Sequence, residues 1–156
     1  GVIYGPGDPG NILRMIRAVK RGYFVLPVTP QIRKSYGYIY GLLESMLFTM
    51  QQTGKELTYN YVEKETETLG TLIAIINKEL GTNGKIIRFP LVFLKVTAAA
   101  LYKIKPNLNG IHPERVKKVA RPTHIVPKVL QEKGFVFNYD FQKSLVHWNG
   151  IAKDDF

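Results

Sequence analysis

The sequence predicts an α/β fold, a small mixed sheet with several packed helices in a single domain over residues 1–156. Three observations predict it. Short β-rich runs alternate with segments of helical apolar period. Glycine and proline punctuate nearly every change of period. A chain of 156 residues, 45% hydrophobic and 22% charged, is long and apolar enough to bury a real core.

The elements follow in order. Gly1 to Tyr4 reads as a short strand entering a loop rich in glycine and proline. A basic helix opens at Asn11, with Ile12, Met15, Ile16 and Val19 on one face and Gly22 as its stop. Tyr23 to Val28 is a strand closed by prolines. Ser35 is placed to cap a helix from about Tyr38 to Gln52, with Ile39, Leu42, Leu43, Met46, Leu47 and Met50 facing inward. Leu57 to Val62 alternates and is β-rich, which predicts a strand. Thr66 or Thr68 caps the next helix, whose Leu69, Leu72, Ile73, Ile76 and Leu80 share a face and which stops at Gly81. Lys85 to Phe89 is a strand. Pro90 starts an apolar helix to about Tyr102, and a basic helix covers Pro113 to Val119. A short helix spans Pro127 to Lys133, and a last one lies near Tyr139 to Trp148. Asp154-Asp155-Phe156 is a polar tail.

Composition narrows the function classes. No cysteine is present, which excludes disulfides and thiolate chemistry and predicts a reducing, cytoplasmic setting. The apolar window 90–102 is too short to span a bilayer, so no membrane partner is expected. The net charge of +10 suits an anionic ligand. Lys and Arg are spread along the chain, without a dense basic run or an aromatic RNA-binding pattern, so nucleic acid is an unfavoured partner.

The loop after the first strand contains Gly5, Gly7 and Gly10, a literal G-x-G-x-x-G between strand and helix. A dinucleotide site needs backbone N–H groups aimed at a pyrophosphate and an acid about 20 residues on. Pro6 and Pro9 have no N–H, and the second strand ends in Val28-Thr29-Pro30-Gln31 with no carboxylate. The loop therefore reads as a turn. Tyr139 and Lys143 form a Tyr-x-x-x-Lys pair that reads as an ordinary i,i+4 neighbour pair. His112, His124 and His147 lack metal-ligand spacing.

As a whole, Val2-Ile3-Tyr4-Gly5-Pro6-Gly7-Asp8 resembles the "R-P-x-N-V-Y-G-P-G-D" segment of the extended short-chain dehydrogenase/reductases, the NAD-dependent epimerase/dehydratase family. Arg33 to Ile39 is similar to that family's "R-S-F-V-Y-V-D-D" junction, and Thr58-Tyr59-Asn60 to its "Y-N-V" strand. Arg121-Pro122 is similar to "R-P-x-D", and Gly134-Phe135 to Trp148 to the C-terminal "L-G-F … L … W". The order is preserved over nearly the whole chain. The resemblance implies a two-lobed Rossmann-type enzyme of which this chain is the isolated C-terminal, substrate-binding lobe. The N-terminal lobe, with its NAD or NADP and its catalytic Tyr-x-x-x-Lys, would lie upstream of Gly1. That missing lobe and a nucleotide-sugar are the expected partners, with homodimerisation of the full-length protein. The fragment alone is expected to bind no cofactor, to hold no catalytic residue or metal, and to be inactive.

The resemblance also implies substrate contacts. Asn11 matches a diphosphate-binding Asn at the helix start, where an N-cap is the plain alternative. Arg33 and Lys34 fall at a diphosphate-binding Arg, and Arg121 matches a second. Phe24, with Tyr23 and Val25, falls where the family lays a segment against the nucleotide base; a core strand is the alternative. Departures are Val2 for the family Asn and Tyr40-Gly41 for the Asp pair. They leave open a substrate lobe of the hydroxysteroid or flavonoid reductase type, and, outside enzymes, a basic nucleic-acid-binding module.

Overall fold

The computed structural model describes residues 1–26, 29–52, 56–88 and 122–156. Across them run β1 (Val2–Tyr4), α1 (Asn11–Lys20), β2 (Tyr23–Leu26), β3 (Tyr36–Tyr38), α2 (Ile39–Met50), α3 (Leu69–Leu80), β4 (Lys85–Arg88), α4 (Lys128–Glu132), α5 (Phe141–Ile151) and a final 3₁₀ turn, Lys153–Asp155. The α/β class is as expected. The expected helices at 90–102 and 113–119 lie outside the described residues.

The strands form two parallel pairs. β1 runs beside β3, with Val2 opposite Tyr36 and Tyr4 opposite Tyr38. β2 runs beside β4, with Tyr23 opposite Lys85 and Leu26 opposite Arg88. Parallel pairing needs a crossover: α1 and β2 lie in the connection from β1 to β3, and β3, α2 and α3 in that from β2 to β4. The helical period of Ile12, Met15, Ile16 and Val19 buries one face of α1, together with Leu13. α3 buries Leu69, Leu72, Ile73 and Ile76, and α5 buries Phe141, Leu145 and Trp148. α3 packs against α1 on one side and α5 on the other. Tyr4, Tyr38 and Leu26 complete this core from the strands.

Local signals decide most ends. Thr68 caps α3 by accepting from the Thr71 N–H at 3.0 Å. Gly81 closes it in the left-handed region, φ 61°, which glycine adopts without a Cβ penalty. Asp140 caps α5 through the Lys143 N–H at 2.8 Å.

Four expectations are corrected. Ser35 is not a cap. The cap position of α2 is Tyr38, and the buried Ser35 hydroxyl instead donates to the Thr123 carbonyl at 3.1 Å and accepts from the Ile125 N–H at 2.8 Å. Residues 57–62 are not a strand. The ladder-like bond that follows them is Glu63 N–H to the Tyr36 carbonyl at 2.8 Å. The stripe of α2 does not face inward: its buried residues are Gly41 and Ser45, while Leu43, Met46, Leu47 and Met50 are exposed. Finally, Tyr139 lies before α5, so it and Lys143 are not helical i,i+4 neighbours, and Lys143 pairs with the N-cap Asp140 at 3.9 Å.

Candidate functional site

The glycine loop is committed to the chain's own carboxylates. The Gly10 N–H donates to Asp8 Oδ1 at 2.9 Å, and the Gly7 N–H to Asp155 Oδ2 at 3.1 Å. With Pro6 and Pro9 contributing no N–H, little of this backbone remains to cradle a pyrophosphate. These residues do not fit a dinucleotide. The tail that supplies Asp155 is the polar tail expected from the sequence. It folds back as a clamp: Asp155 Oδ2 also accepts from Trp148 Nε1 at 2.7 Å, and Arg17 Nε donates to the Asp155 carbonyl at 2.8 Å. Hydrogen bonds from Trp148 and Gly7 hold the Asp155 carboxyl below its ordinary pKa.

The helix N-termini differ in what they offer. At α3 the first N–H groups are spent: Leu69 on the Ile32 carbonyl, Gly70 on the Pro30 carbonyl, Thr71 on Thr68. α5 has its Asp140 cap. α1 starts from Gly10 without a side-chain cap and carries no acid in its first turn. Asn11 is its first helical residue and is exposed. The N-cap alternative for Asn11 therefore fails: it is the first residue of a helix whose N-cap, Gly10, gives no side-chain bond.

Arg33 and Lys34 lie on the segment leading into β3. That segment is laced to residues 123–125: Thr123 N–H donates to the Arg33 carbonyl at 3.2 Å, and Ser35 N–H to Thr123 Oγ1 at 3.0 Å. Its other side makes an antiparallel bridge from Arg33 to Thr68, and Arg33 Nη1 donates to the Thr66 carbonyl. Arg33 is exposed and Lys34 half-buried, and burial lowers the Lys34 ammonium pKa. Arg121 lies outside the described residues. Its near neighbour in sequence, Thr123, is the one bonded to Arg33. Phe24 is half-buried on β2, opposite Ile86, and packs against the core. Hydrogen bonds thus join the Arg33–Lys34 segment to residues 123–125, whereas Asn11 and Phe24 sit on separate elements.

A second cluster was not foreseen. Glu63 is buried with its carboxyl bonded to the Tyr4 hydroxyl. Burial pushes its pKa up to about 8. Nearby, Tyr38 Oη and His147 Nδ1 are 2.8 Å apart, and the Tyr40 and Tyr139 rings stand edge-on to His147. His147, read as a scattered histidine, belongs to an aromatic cluster. No spacing in the sequence links positions 38, 40, 139 and 147. Among the described residues no group of three or more His, Cys, Asp or Glu could hold a metal, and no helix is long and apolar enough to cross a membrane.

Comparison with known proteins places this arrangement. No family model matches the sequence. A curated protein of Escherichia coli O157:H7, N-acetyl-alpha-D-glucosaminyl-diphospho-ditrans,octacis-undecaprenol 4-epimerase, is 26% identical over 151 residues, covering 92% of this chain and 45% of its own. The solved UDP-N-acetylglucosamine 4-epimerase from Bacillus cereus superposes with a TM-score of 0.66 at 15% identity, covering 97% of this chain and 46% of its own. Thermus thermophilus UDP-glucose 4-epimerase, solved with NAD, gives 0.61 at 15% identity over 97% and 44%. L-threonine dehydrogenase from Phytophthora infestans gives 0.64 at 13% identity over 100% and 47%. The chain is therefore similar in sequence to a 4-epimerase, has the fold of part of the solved epimerases and of a threonine dehydrogenase, and spans under half the length of the relatives it matches.

Proposed function

We propose that this chain is the substrate-binding portion of an NAD(P)-dependent epimerase or dehydratase that works on a sugar diphosphate. The observation that carries the reading is the 26% identity over 151 residues to an epimerase whose name specifies a sugar joined through a diphosphate. The solved neighbours include UDP-sugar enzymes. A nucleotide-sugar and a polyprenyl-linked sugar share the glycosyl diphosphate, and that is the group the basic residues would recognise. The uncapped N-terminus of α1 with Asn11 suits an anion. Arg33 and Lys34, with Arg121 close in sequence to the segment that binds theirs, supply the cations. Phe24 would face the nucleotide base in the UDP-linked case. NAD or NADP would be held by the other half of the protein, where hydride transfer takes place. The half seen here binds and orients the sugar.

Titration of the full-length protein with UDP and UDP-N-acetylglucosamine tests the reading. Losing one charge-assisted contact costs about 1.5–3 kcal/mol, roughly tenfold or more in affinity. Lys34→Ala and Arg121→Ala should each weaken binding to that extent and flatten its salt dependence. Unchanged affinity in both would overturn the diphosphate assignment. A thermal shift with apolar ketones and none with UDP compounds would support the reductase alternative. A salt-dependent gel shift at low ionic strength would support nucleic-acid binding.

A further inference from the structure

The outward face of α1 carries a charge pattern that the core does not require. The helix buries Ile12, Leu13, Met15, Ile16 and Val19. Arg14, Arg17 and Arg21, spaced i, i+3 and i+7, form one stripe on the opposite side. All three are exposed, as is Lys20 at the edge of the stripe. No acidic residue lies within the helix to neutralise them. Among the described residues Arg14, Lys20 and Arg21 make no ion pair. Arg17 is tied to the tail: its Nε donates to the Asp155 carbonyl at 2.8 Å, and its charge helps to lower the Asp155 pKa. Like charges three and four residues apart repel one another and cost helix stability. The fold itself therefore gives no reason for the stripe.

From Arg14 to Arg21 the stripe runs about 10 Å along the helix. One turn before Arg14 stands Asn11, at the end of α1 assigned above to the diphosphate. A row of fixed cations thus continues from the place where the anionic group would sit. Two carriers share a glycosyl diphosphate, and they differ in where they hold it. A nucleotide-sugar is free in solution, and its diphosphate leaves nothing for a further row of arginines to meet. A polyprenol is held in a bilayer, with its diphosphate at the level of the lipid headgroups. There the stripe would face a layer of anionic phosphates, to which rows of Lys and Arg are complementary. The apolar side of α1 is already spent on the core, so such a contact is made by charge alone, without insertion. The shortness of the apolar window 90–102 bears on crossing a bilayer and leaves open lying against one.

We infer that the Arg14–Arg17–Arg21 face of α1 is a docking surface for an anionic phospholipid membrane, where the protein meets a lipid-borne glycosyl diphosphate. The choice of occupant rests on the diphosphate reading of the chain. The test is sedimentation of the full-length protein with vesicles of phosphatidylglycerol mixed with phosphatidylcholine, against phosphatidylcholine alone. Binding is expected with the mixed vesicles only, and high salt should abolish it. Each basic residue removed from such a contact lowers partitioning about fivefold, so Arg14→Gln/Arg21→Gln should weaken it about 25-fold. Arg14→Lys/Arg21→Lys should retain it. Lys64→Gln/Lys133→Gln removes the same charge from exposed positions elsewhere and should also retain it. All four side chains are exposed, so every variant should melt with the unaltered protein. Equal loss in the Lys64/Lys133 variant would show that only net charge is read, and would overturn the proposal. So would absence of sedimentation with the mixed vesicles, or equal sedimentation with the neutral ones. A gel shift of duplex DNA that Arg14→Gln/Arg21→Gln abolishes, with vesicle binding unchanged, would assign the face to nucleic acid and also overturn it. The vesicles hold no glycosyl diphosphate, so a failed UDP titration and a failed vesicle assay are separately visible.

Discussion

Glu63 is the residue at which burial works most directly against charge. Its carboxyl is enclosed against the Tyr4 hydroxyl, and burial raises its pKa to about 8, with Asp140 and Glu67 adding repulsion. In the unfolded chain the group titrates near its ordinary value of 4.5. Between these values the folded state keeps a proton that the unfolded state releases, so stability should fall as pH rises from about 4.5 to about 8 and then level off. Glu63→Gln keeps an acceptor for Tyr4 and cannot ionise. It should flatten that slope and leave the variant the more stable protein at pH 8, read from urea midpoints at pH 5.5 and 8. Nothing in Val62-Glu63-Lys64 announces a buried acid, because its partner is 59 positions away. Asn11 was half legible: its position at the helix start was readable from the glycines before it, but Gly10 as the cap was not. Arg33, read as a ligand residue, also bridges to the Thr66–Thr68 turn, which a local sequence window does not contain.

At the scale of elements, ends were legible where one residue decides them. Gly81 was named as the end of α3, and Thr68 as one of two candidate caps with Thr66, because an N-cap oxygen and a left-handed glycine act over one turn. Thr68→Ala should cost about 1 kcal/mol, measured by chemical denaturation. Faces were legible only where one side of a helix meets this chain's own core. α1 and α3 obey the rule. α2 does not, because its small residues meet the 59–61 segment, Tyr40 and Phe48 meet the His147 and Phe135 rings, and Leu43, Met46, Leu47 and Met50 stay exposed. Gly41→Ala tests that contact: the added methyl would fall on the Tyr61 hydroxyl. Overpacking of this kind typically costs about 1–3 kcal/mol, visible as a lower melting temperature. The 57–62 run shows the other limit of period. Alternation selects an extended backbone, but a strand also needs a partner along its length, and its clear ladder-like bond is the one at Glu63.

For the whole molecule, the first and last segments hold each other. Asp155 bridges Gly7 of the first loop and Trp148 of the last long helix, and Phe156 packs on the Trp148 ring with centroids 5.1 Å apart. Asp155→Ala should leave the buried Trp148 N–H without its acceptor. Lower melting and a changed emission maximum are the expected outcomes, and the single tryptophan makes the fluorescence signal specific to this contact.

The sequence by itself determined the α/β class, the Gly81 end of α3, the reading of the glycine loop as a turn, and the epimerase-type likeness. These depend on period, on single-residue backbone chemistry and on short ordered motifs, all of which act within a few positions. Only the tertiary structure decided that Asp155 fills the glycine loop, that Ser35 binds residues 123–125 instead of capping α2, that Glu63 is buried on Tyr4, and that α2 faces outward. Each of those depends on which distant segments arrive at the same place, and burial and hydrogen-bond satisfaction are set by that meeting.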